Sequence, residues 1–296
     1  MRWFHCLILL FLLQLAQKSY GQKELNTLRS EIQNELKAFK GTVGLSILHA
    51  ASEDSFHIHN EQPFPMQSVY KLPLAIKVLS DIDSGLYSIN TLIEVTKNEL
   101  SENTWSPMKE KYGDSSFTVT IDTLLHYAVS YSDNIACDVL FKLAGGPKAV
   151  NAFMHSLGLI KIQIKSSEKQ MHRNPELAYD NFCYPSEMNE LLRRLQANEM
   201  LSTSSTNKLL SIMTSAATGA NRLMKRLPEG TRVAHKTGTG MNEDLIIACN
   251  DVGIITLPDG THLLISVFIK DAYEPYEKCE SLIAAVSYLS YEYFKR

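Results

Sequence analysis

The spacing of apolar side chains divides the chain into helical and extended segments. Apolar residues recur at helical spacing over 23–40, which predicts an amphipathic helix. Two runs rich in β-branched and aromatic residues follow over 42–48 and 55–59, and the polar turn between them predicts a β-hairpin. Three later runs have the same extended character and predict further strands, over 231–236, 245–255 and 262–268.

Between these two groups of strands the pattern is helical. A stretch that is apolar nearly all round begins at about Ser68, as is typical of a helix buried in a core. Five further segments have helical periodicity: 120–128, 134–144, 147–157, 185–195 and 204–214. An amphipathic helix is predicted over 277–293 at the end of the chain.

This order of elements predicts an α+β fold. We expect the early and late strands to join in one antiparallel, five-stranded sheet flanked by helices, with an all-helical domain inserted between them. The predicted sheet domain comprises residues 22–66 and 219–296, and the predicted helical domain comprises 67–218. Functional sites are frequent at such domain interfaces, so we expect the site there.

Composition and the N-terminus narrow the setting of the protein. The 296 residues are 45% hydrophobic and 21% charged, which is typical of a globular protein, and the net charge of -3 without a basic run gives no indication of nucleic-acid binding. Residues 1–21 combine a basic start, an apolar run and small residues at Ser19 and Gly21, which predicts a secretory signal peptide. The alternative is an uncleaved anchor, although the apolar run is short for a membrane span.

Four cysteines remain beyond the predicted signal peptide: Cys137, Cys183, Cys249 and Cys279. Four in a chain of this length are too few for a disulfide scaffold. One bridge is possible, but the sequence alone does not pair them. None has the CxxC spacing of a zinc or iron–sulfur site, so no metal is expected.

Ser68 and Lys71 form the first candidate catalytic pair. On a helix that begins at about Ser68, a spacing of three residues places both side chains on one face. A serine hydroxyl needs a base to act as a nucleophile, and a lysine that is desolvated or close to other positive charge can be that base. The alternative is an ordinary helix start with Ser68 as N-cap.

The tripeptide Ser132-Asp133-Asn134 lies between two predicted helices. Ser132 can relay a proton to a leaving group, and Asn134 can hydrogen-bond both Lys71 and a substrate amide. The alternative is a loop in which Asp133 or Asn134 only caps the next helix.

Residues 235–240 follow a predicted strand and end in two glycines. Lys236 and Thr237 can bind a substrate carboxylate, and Gly238 allows a close approach to the backbone. The N–H of Thr239, together with that of Ser68, can form an oxyanion hole. The alternative is a strand end followed by a glycine turn.

Glu168 lies in a polar stretch, residues 168–172, that has no clear period. A carboxylate held near Ser68 can act as a general base for water. The alternative is a solvated loop glutamate.

Taken together, these motifs resemble those of the class A serine β-lactamases. That family carries Ser-x-x-Lys, Ser-Asp-Asn and Lys-Thr-Gly, which occur here complete and in order at 68–71, 132–134 and 236–238. The resemblance covers essentially the whole mature chain. Within the family, the chain resembles the extended-spectrum branch typified by PER-type enzymes. The resemblance implies the β-lactamase/transpeptidase-like fold and a secreted or periplasmic monomeric enzyme that opens β-lactam rings without a metal or organic cofactor.

The family's general-base loop usually reads Glu-x-x-Leu-Asn, and two glutamates compete for that position. In the family the glutamate lies about 36 residues beyond the first serine of Ser-Asp-Asn and about 68 before the lysine of Lys-Thr-Gly. Glu168 has both spacings, whereas Glu176 misses each by eight residues. The resemblance therefore assigns Glu168 as the general base, with His172 at the position of the usual asparagine.

Two further residues are assigned to substrate binding by the resemblance. The sequence lacks the arginine that many family members carry shortly after Lys-Thr-Gly, and Arg222 occupies the position of a substitute in other members. Its alternative role is a surface arginine. Trp105 is expected as an aromatic wall at the entrance, or otherwise as a half-buried packing residue.

The implied mechanism is an acyl-enzyme on Ser68. Lys71, or Glu168 through a water, takes the serine proton, and Ser132 passes a proton to the ring nitrogen. Glu168 then activates the water that releases the product. Two rival functions share the motifs: a DD-peptidase or penicillin-binding protein, which normally lacks the deacylating glutamate, and a β-lactam sensor module.

Overall fold

The computed structural model describes residues 25–101 and 103–295. The predicted signal peptide, residues 1–21, lies outside the described residues. The helices are α1 (25–36), α2 (Lys71–Asp83), α3 (Pro107–Tyr112), α4 (Ile121–Val129), α5 (Asn134–Leu143), α6 (Pro147–Ser156), α7 (Glu168–Arg173), α8 (Pro185–Gln196), α9 (Thr203–Thr214) and α10 (Tyr276–Phe294). The strands are β1 (Thr42–His49), β2 (Ser55–Ile58), β3 (Phe64–Pro65), β4 (Leu92–Val95), β5 (Phe117–Thr120), β6 (Phe182–Cys183), β7 (Val233–Asn242), β8 (Leu245–Thr256) and β9 (His262–Ala272).

Five of these strands form the antiparallel sheet that the sequence predicts. Its order is β2-β1-β9-β8-β7, so the late strands join the early hairpin through the pairing of β1 with β9. The predicted α+β architecture is therefore confirmed. Two small two-stranded sheets, β3-β6 and β4-β5, were not predicted, because strands of two to four residues give too short a pattern to recognise.

The sheet separates two buried clusters. Alternate side chains of β9 point to opposite faces, as the period of a strand requires. Ile265 and Val267 join a cluster with Ile32 of α1 and Ile283 of α10, whereas Phe268 faces the helices inserted between the strands. The domain boundaries at 66/67 and 218/219 stay a prediction.

The turn that carries Ser68 differs from the expected start of an α-helix. Residues Gln67–Tyr70 form a 3₁₀ helix, and α2 begins only at Lys71. Met66 O accepts a hydrogen bond from the N–H of Val69, three residues ahead, which is the tighter pattern of a 3₁₀ turn. Pro73 lies in the first turn of α2, where its missing N–H leaves no helical bond unmade.

Strand β7 is longer than predicted. It continues through Lys236, Thr237 and Gly238 to Asn242, with a bulge after Gly240. The sequence pattern ended the strand at 236 because the glycines that follow are depleted in strands. The pairing with β8 continues across this segment and overrides that local preference.

Within the described parts of the chain, no helix combines the length and the apolar character needed to cross a bilayer.

The contact between Gly44 and Phe64 joins the sheet to the segment that leads to Ser68. A Cβ at position 44 would lie 2.3 Å from Cε2 of Phe64, whose ring is fully buried and 6.2 Å from the ring of Phe268. We expect Gly44→Ala to lower the free energy of unfolding by about 1–3 kcal/mol, because overpacking forces the ring to move. Urea denaturation of both chains measures the difference.

The matched control is the same substitution in a Phe64→Leu background. In that background, the loss of unfolding free energy caused by Gly44→Ala should be smaller by about 1 kcal/mol or more, since the ring atoms that the new Cβ would meet are absent. Strictly additive effects would show that the phenyl ring is not the obstacle.

Candidate active site

A cavity of about 360 Å³ opens where the Ser68 turn, the loop before α5, β7 and α10 meet. Eight of the residues assigned from the sequence line it: Ser68, Trp105, Ser132, Asn134, Glu168, Arg222, Thr237 and Thr239. Lys71 and Lys236 are fully buried behind this surface. The structure therefore brings the three motifs and Glu168 to one place, although they are distant in the chain.

The Lys71 ammonium group is held by three oxygen atoms. Its Nζ donates to the backbone O of Ser132 at 2.8 Å and to Oδ1 of Asn134 at 2.6 Å, and lies 3.0 Å from Oε1 of Glu168. The side chain is fully buried, so these oxygens replace the water it would have outside. This geometry ties the first and second motifs to the glutamate.

Ser132 lies between two lysines. Its backbone O accepts from Lys71, and its Oγ accepts from Nζ of Lys236 at 3.0 Å. The backbone of Ser132 has a φ of 58°, a left-handed conformation that costs energy for a non-glycine residue. Burial and then the nearby positive charge of Lys71 lower the pKa of Lys236 well below its usual value.

The other two residues of this motif fix its position. Asp133 caps α5 by accepting from the N–H of Ala136, and its second oxygen accepts from the N–H of Met108 at 2.7 Å. The capping role considered from the sequence is thus present alongside the motif. Asn134 donates through Nδ2 to Oγ1 of Thr104 at 2.7 Å, which orients its oxygen toward Lys71.

Glu168 begins a short helix, α7, where the sequence indicated a loop. A capping box between Ser167 and Gln170 closes its N-terminus. The pattern Ser-x-x-Gln was therefore the signal for this helix, although six residues are too few to show a helical period. The helix fixes the Glu168 carboxylate, which is mostly buried, against Lys71.

Asp138 was not identified from the sequence, and it anchors this helix. Its two carboxylate oxygens accept from the N–H of Glu168 at 2.9 Å and from the N–H of Lys169 at 2.8 Å. Burial, and then the negative charge of Glu168, raise the pKa of Asp138 to about 6. Tyr70 is also fully buried here, and burial raises its pKa well above the usual value.

The competing glutamate lies elsewhere. Glu176 is exposed in a 3₁₀ turn over Pro175–Tyr179 and does not line the cavity. His172 is also exposed, and lines a separate small cavity of about 40 Å³ that it shares with Glu168 and Asp138. His172 is therefore placed behind the glutamate and not against the main cavity.

Strand β7 lies directly against the Ser68 turn. A Cβ at Gly238 would be 2.3 Å from the backbone O of Met66, so only glycine allows this contact. The close approach expected at Gly238 is thus made by the chain's own backbone. Thr237 and Thr239 alternate with it and line the cavity, and Thr237 Oγ1 is 2.8 Å from Oγ1 of Thr218.

Arg222 is buried at the far wall of the cavity and is not a surface arginine. Its Nη2 donates to Oγ1 of Thr239 at 2.6 Å and to the hydroxyl of Tyr276, and its Nη1 donates to the backbone O of Asn250 at 2.6 Å. Its Nε lies 3.4 Å from Oε1 of Glu280. The guanidinium thus connects β7 and β8 to the first turns of α10.

A buried pair holds the segment that carries Arg222. Asp251 accepts from the N–H of Leu223 at 3.2 Å, and one of its oxygens is 2.8 Å from Nδ1 of His235. Both side chains of the pair are fully buried. Their role is to fix the loop before β7 on the sheet.

Trp105 lies at the entrance, with 57% of its surface exposed. Its Nε1 donates to the backbone O of Tyr131 at 3.0 Å, beside Ser132. Five residues that line the cavity were not identified from the sequence: Gln67, Thr218, Gly219, Tyr276 and Glu280. Gln67 directly precedes Ser68 in the chain, whereas the other four lie in the loop before β7 and in helix α10, which reach the cavity only through folding.

Among the described residues there is no group of three or more His, Cys, Asp and Glu side chains with the geometry to hold a metal ion.

Comparison with known proteins identifies the family. Residues 27–294 match the beta-lactamase enzyme family. The chain is 41% identical over 278 residues to Beta-lactamase VEB-1 of Pseudomonas aeruginosa, covering 93% of each chain. It is 38% identical to Extended-spectrum beta-lactamase PER-1 of the same species, covering 90% of this chain and 87% of the relative.

Solved structures agree with the sequence comparison. A class A beta-lactamase from Bacteroides cellulosilyticus superposes with a TM-score of 0.87 at 32% identity, covering 91% of this chain and 98% of that one. Both the sequence and the fold therefore match over nearly the full described length. The chain belongs to the beta-lactamase enzyme family, among the class A enzymes.

Proposed function

We propose that this class A β-lactamase hydrolyses penicillins and cephalosporins through an acyl-enzyme on Ser68. The observation that carries the proposal is the buried Lys71 ammonium, held between Ser132, Asn134 and Glu168, which line the same cavity as Ser68. A lysine base, a proton relay and one carboxylate are gathered here around one nucleophile, as acyl transfer followed by hydrolysis requires.

The ion pair between Lys71 and Glu168 limits the routes for the serine proton. A charged ammonium has no lone pair, so Lys71 can accept this proton only after it has released one of its own. The carboxylate at 3.0 Å is positioned to take that proton. The serine proton passes either to Glu168 through a water or to Lys71 after Lys71 has lost its own proton, and the second route remains available without Glu168.

Ser132 is proposed to protonate the ring nitrogen as the amide bond breaks. Its Oγ accepts a hydrogen bond from Lys236, which leaves its own proton free to be donated. The positive charge of Lys236 favours the departure of that proton. The oxyanion is proposed to bind the N–H groups of Ser68 and Thr239, since both residues line the cavity and β7 lies against the Ser68 turn.

Glu168 is proposed to activate the water that cleaves the acyl-enzyme. Its fixed position on α7 depends on the two hydrogen bonds to Asp138, which we assign as a positioning residue. His172 is proposed to act from behind the glutamate, in the small cavity that the two side chains share. A deacylating carboxylate favours a β-lactamase over a penicillin-binding protein or a sensor.

The substrate carboxylate is proposed to bind Lys236, Thr237 and Thr239, with Arg222 behind them. Because the Thr239 oxygen accepts from Arg222, its hydroxyl proton can be donated either to the Tyr276 hydroxyl, at 3.3 Å, or to an acceptor in the cavity. Arg222 therefore contributes charge and orients this hydroxyl. We also propose that the chain is exported, loses residues 1–21 and acts as a monomer, with Trp105 as a wall of the entrance.

The first prediction for the active site distinguishes Glu168 from Glu176 as the general base. In Glu168→Gln, hydrolysis of a chromogenic cephalosporin should fall by about 10²–10⁴-fold while acylation persists, because the base for water is lost. Mass spectrometry should then show the acyl-enzyme accumulating on Ser68. The matched control, Glu176→Gln, should retain activity within about twofold.

Accumulation in Glu176→Gln instead would refute the assignment of Glu168. A parent enzyme that is acylated once and then stops would refute hydrolysis itself, and would favour the penicillin-binding or sensor function.

The second prediction concerns Arg222 and the proposed binding of the substrate carboxylate. Arg222→Lys should lower kcat/KM for a penicillin by about 10-fold or more, mainly through KM, because a point charge cannot replace the planar fork on Thr239. The methyl ester of the same penicillin should be affected much less. Arg226→Lys, at an exposed arginine nearby, is the control. Equal losses of kcat/KM for the penicillin and for its methyl ester would show that Arg222 has only a structural role.

The third prediction follows from the pKa of Asp138. The folded chain holds a proton on this group between about pH 4 and 6 that the unfolded chain releases, so stability from this source falls as pH rises through that window. Relative to Asp138→Asn, the wild type should lose about 3 kcal/mol of unfolding free energy from pH 4 to pH 7. Asp114→Asn, at an exposed aspartate, should show no such difference. Parallel pH profiles for wild type and Asp138→Asn would contradict the assignment.

A further inference from the structure

The fold distributes the four cysteines between the two faces of the sheet. Cys137 and Cys183 belong to the buried cluster around α2, where Cys137 donates to the hydroxyl of Tyr70. Cys249 and Cys279 both belong to the cluster on the opposite face, between the sheet and α10. All four thiols are free and buried in the structure. The sequence left the cysteine pairing open. The fold restricts it, because Cys137 and Cys183 are separated by the sheet from Cys249 and Cys279.

Cys249 and Cys279 face each other across a packed interface. Cys249 lies near the start of β8, and Cys279 lies in the first turn of α10, which packs on that strand. Neither residue exposes any surface to water, both belong to the one cluster packed between β8 and α10, and each thiol is close enough to the other to shift its pKa. The structure thus brings two cysteines 30 residues apart in sequence into contact.

We propose that Cys249 and Cys279 are joined by a disulfide bond when the chain folds in an oxidising compartment. Both thiols are free in the structure, which therefore describes the dithiol form. The bond would connect strand β8 to helix α10 beneath the wall that holds Arg222.

The chemistry needs an oxidant that itself carries a disulfide, such as a thiol oxidase or oxidised glutathione. One cysteine thiolate attacks a sulfur of that disulfide and releases a thiol, forming a mixed disulfide with the chain. The second cysteine then attacks the mixed disulfide and releases the second thiol. Two S–H bonds break, one S–S bond forms, and two electrons and two protons pass to the oxidant.

In the folded chain each of the two thiols shifts the pKa of the other. Contact with Cys249 lowers the pKa of Cys279, and the positive charges of Arg222 and Lys278 act in the same direction. The same contact raises the pKa of Cys249. Because both sulfurs are sealed from water in the folded chain, exchange takes place before α10 closes on the sheet.

The bond has a consequence for substrate recognition, and this part rests on the proposed function. Cys249 is paired with Thr239 of β7, and Cys279 directly precedes Glu280, the ion-pair partner of Arg222. A covalent link between them fixes the distance between the strand that offers Thr239 and the helix that offers Tyr276. It thereby holds the guanidinium in one geometry while a substrate enters and leaves.

Peptide mapping tests the bond without any measurement of hydrolysis. The full mature chain is unfolded and refolded with reduced and oxidised glutathione. It is then denatured in the presence of iodoacetamide, so that buried free thiols are blocked, and cut with trypsin without reduction. Each cysteine falls on its own tryptic peptide, and those of Cys249 and Cys279 span 237–270 and 279–295. We expect these two peptides linked, at their summed mass less two hydrogens, and Cys137 and Cys183 unlinked.

The outcomes that overturn the proposal are equally direct. All four cysteines recovered on separate peptides, or a linked pair that includes Cys137 or Cys183, would each refute it. The same digest of a chain refolded in dithiothreitol should contain no linked peptide and is the control for the reaction conditions.

Stability provides a second measurement on the same samples. Closing a 30-residue loop should raise the Tm of the oxidised chain by about 5–10 °C over the reduced one. This difference should vanish in Cys249→Ala and in Cys279→Ala, and persist in Cys137→Ala/Cys183→Ala. A redox-dependent shift that survives in Cys279→Ala would refute the pairing. Since neither readout involves a β-lactam, failure of the bond and failure of the proposed function are distinguishable.

Discussion

Two positive charges buried on either side of one serine govern the architecture of this site. Lys71 binds the backbone oxygen of Ser132, and Lys236 binds its hydroxyl. Removing an ammonium group from water costs several kcal/mol even after relaxation, and two like charges close together add to that cost. Only fixed oxygens in the right places offset it, which is why one carboxylate, an amide and several carbonyls converge on these lysines. The same arrangement gives the serine hydroxyl a preorganised electrostatic setting, so little reorganisation is needed during the reaction.

The sheet determines where the two charges lie. Lys236 is carried by β7, whose pairing with β8 continues through a stretch that local preference would break. Lys71 is carried by α2, which starts where a 3₁₀ turn meets that strand. The contact at Gly238, where no side chain fits against Met66, sets the spacing between the two elements. The position of Ser68, the proposed nucleophile, is thus a result of backbone packing between the two elements.

Anchoring at the rim of the cavity completes the site from both sides. Asp138 holds α7 through two backbone N–H groups and keeps Glu168 within reach of Lys71. On the other side, Arg222 joins β7 and β8 to α10 through Thr239, Tyr276 and Glu280. Each of these two anchoring residues is buried or largely buried, so its contribution to stability depends on hydrogen-bond partners from other elements. The proposed bond between Cys249 and Cys279 would make the second of these anchors covalent.

The sequence by itself determined the five-stranded sheet, the long helices and the motif residues, because hydrophobic period and short motifs are local properties. It also distinguished Glu168 from Glu176, through spacing within a recognised family. The tertiary structure decided what depends on partners far along the chain: the continuation of β7 past Lys236, the placement of His172 behind the glutamate, the burial of Arg222, and the contacts of Asp138, Tyr276 and Glu280. It also brought Cys249 and Cys279 together. The sequence next to a residue does not indicate which residues it contacts across a sheet or under a helix, so only the packed fold specifies those partners.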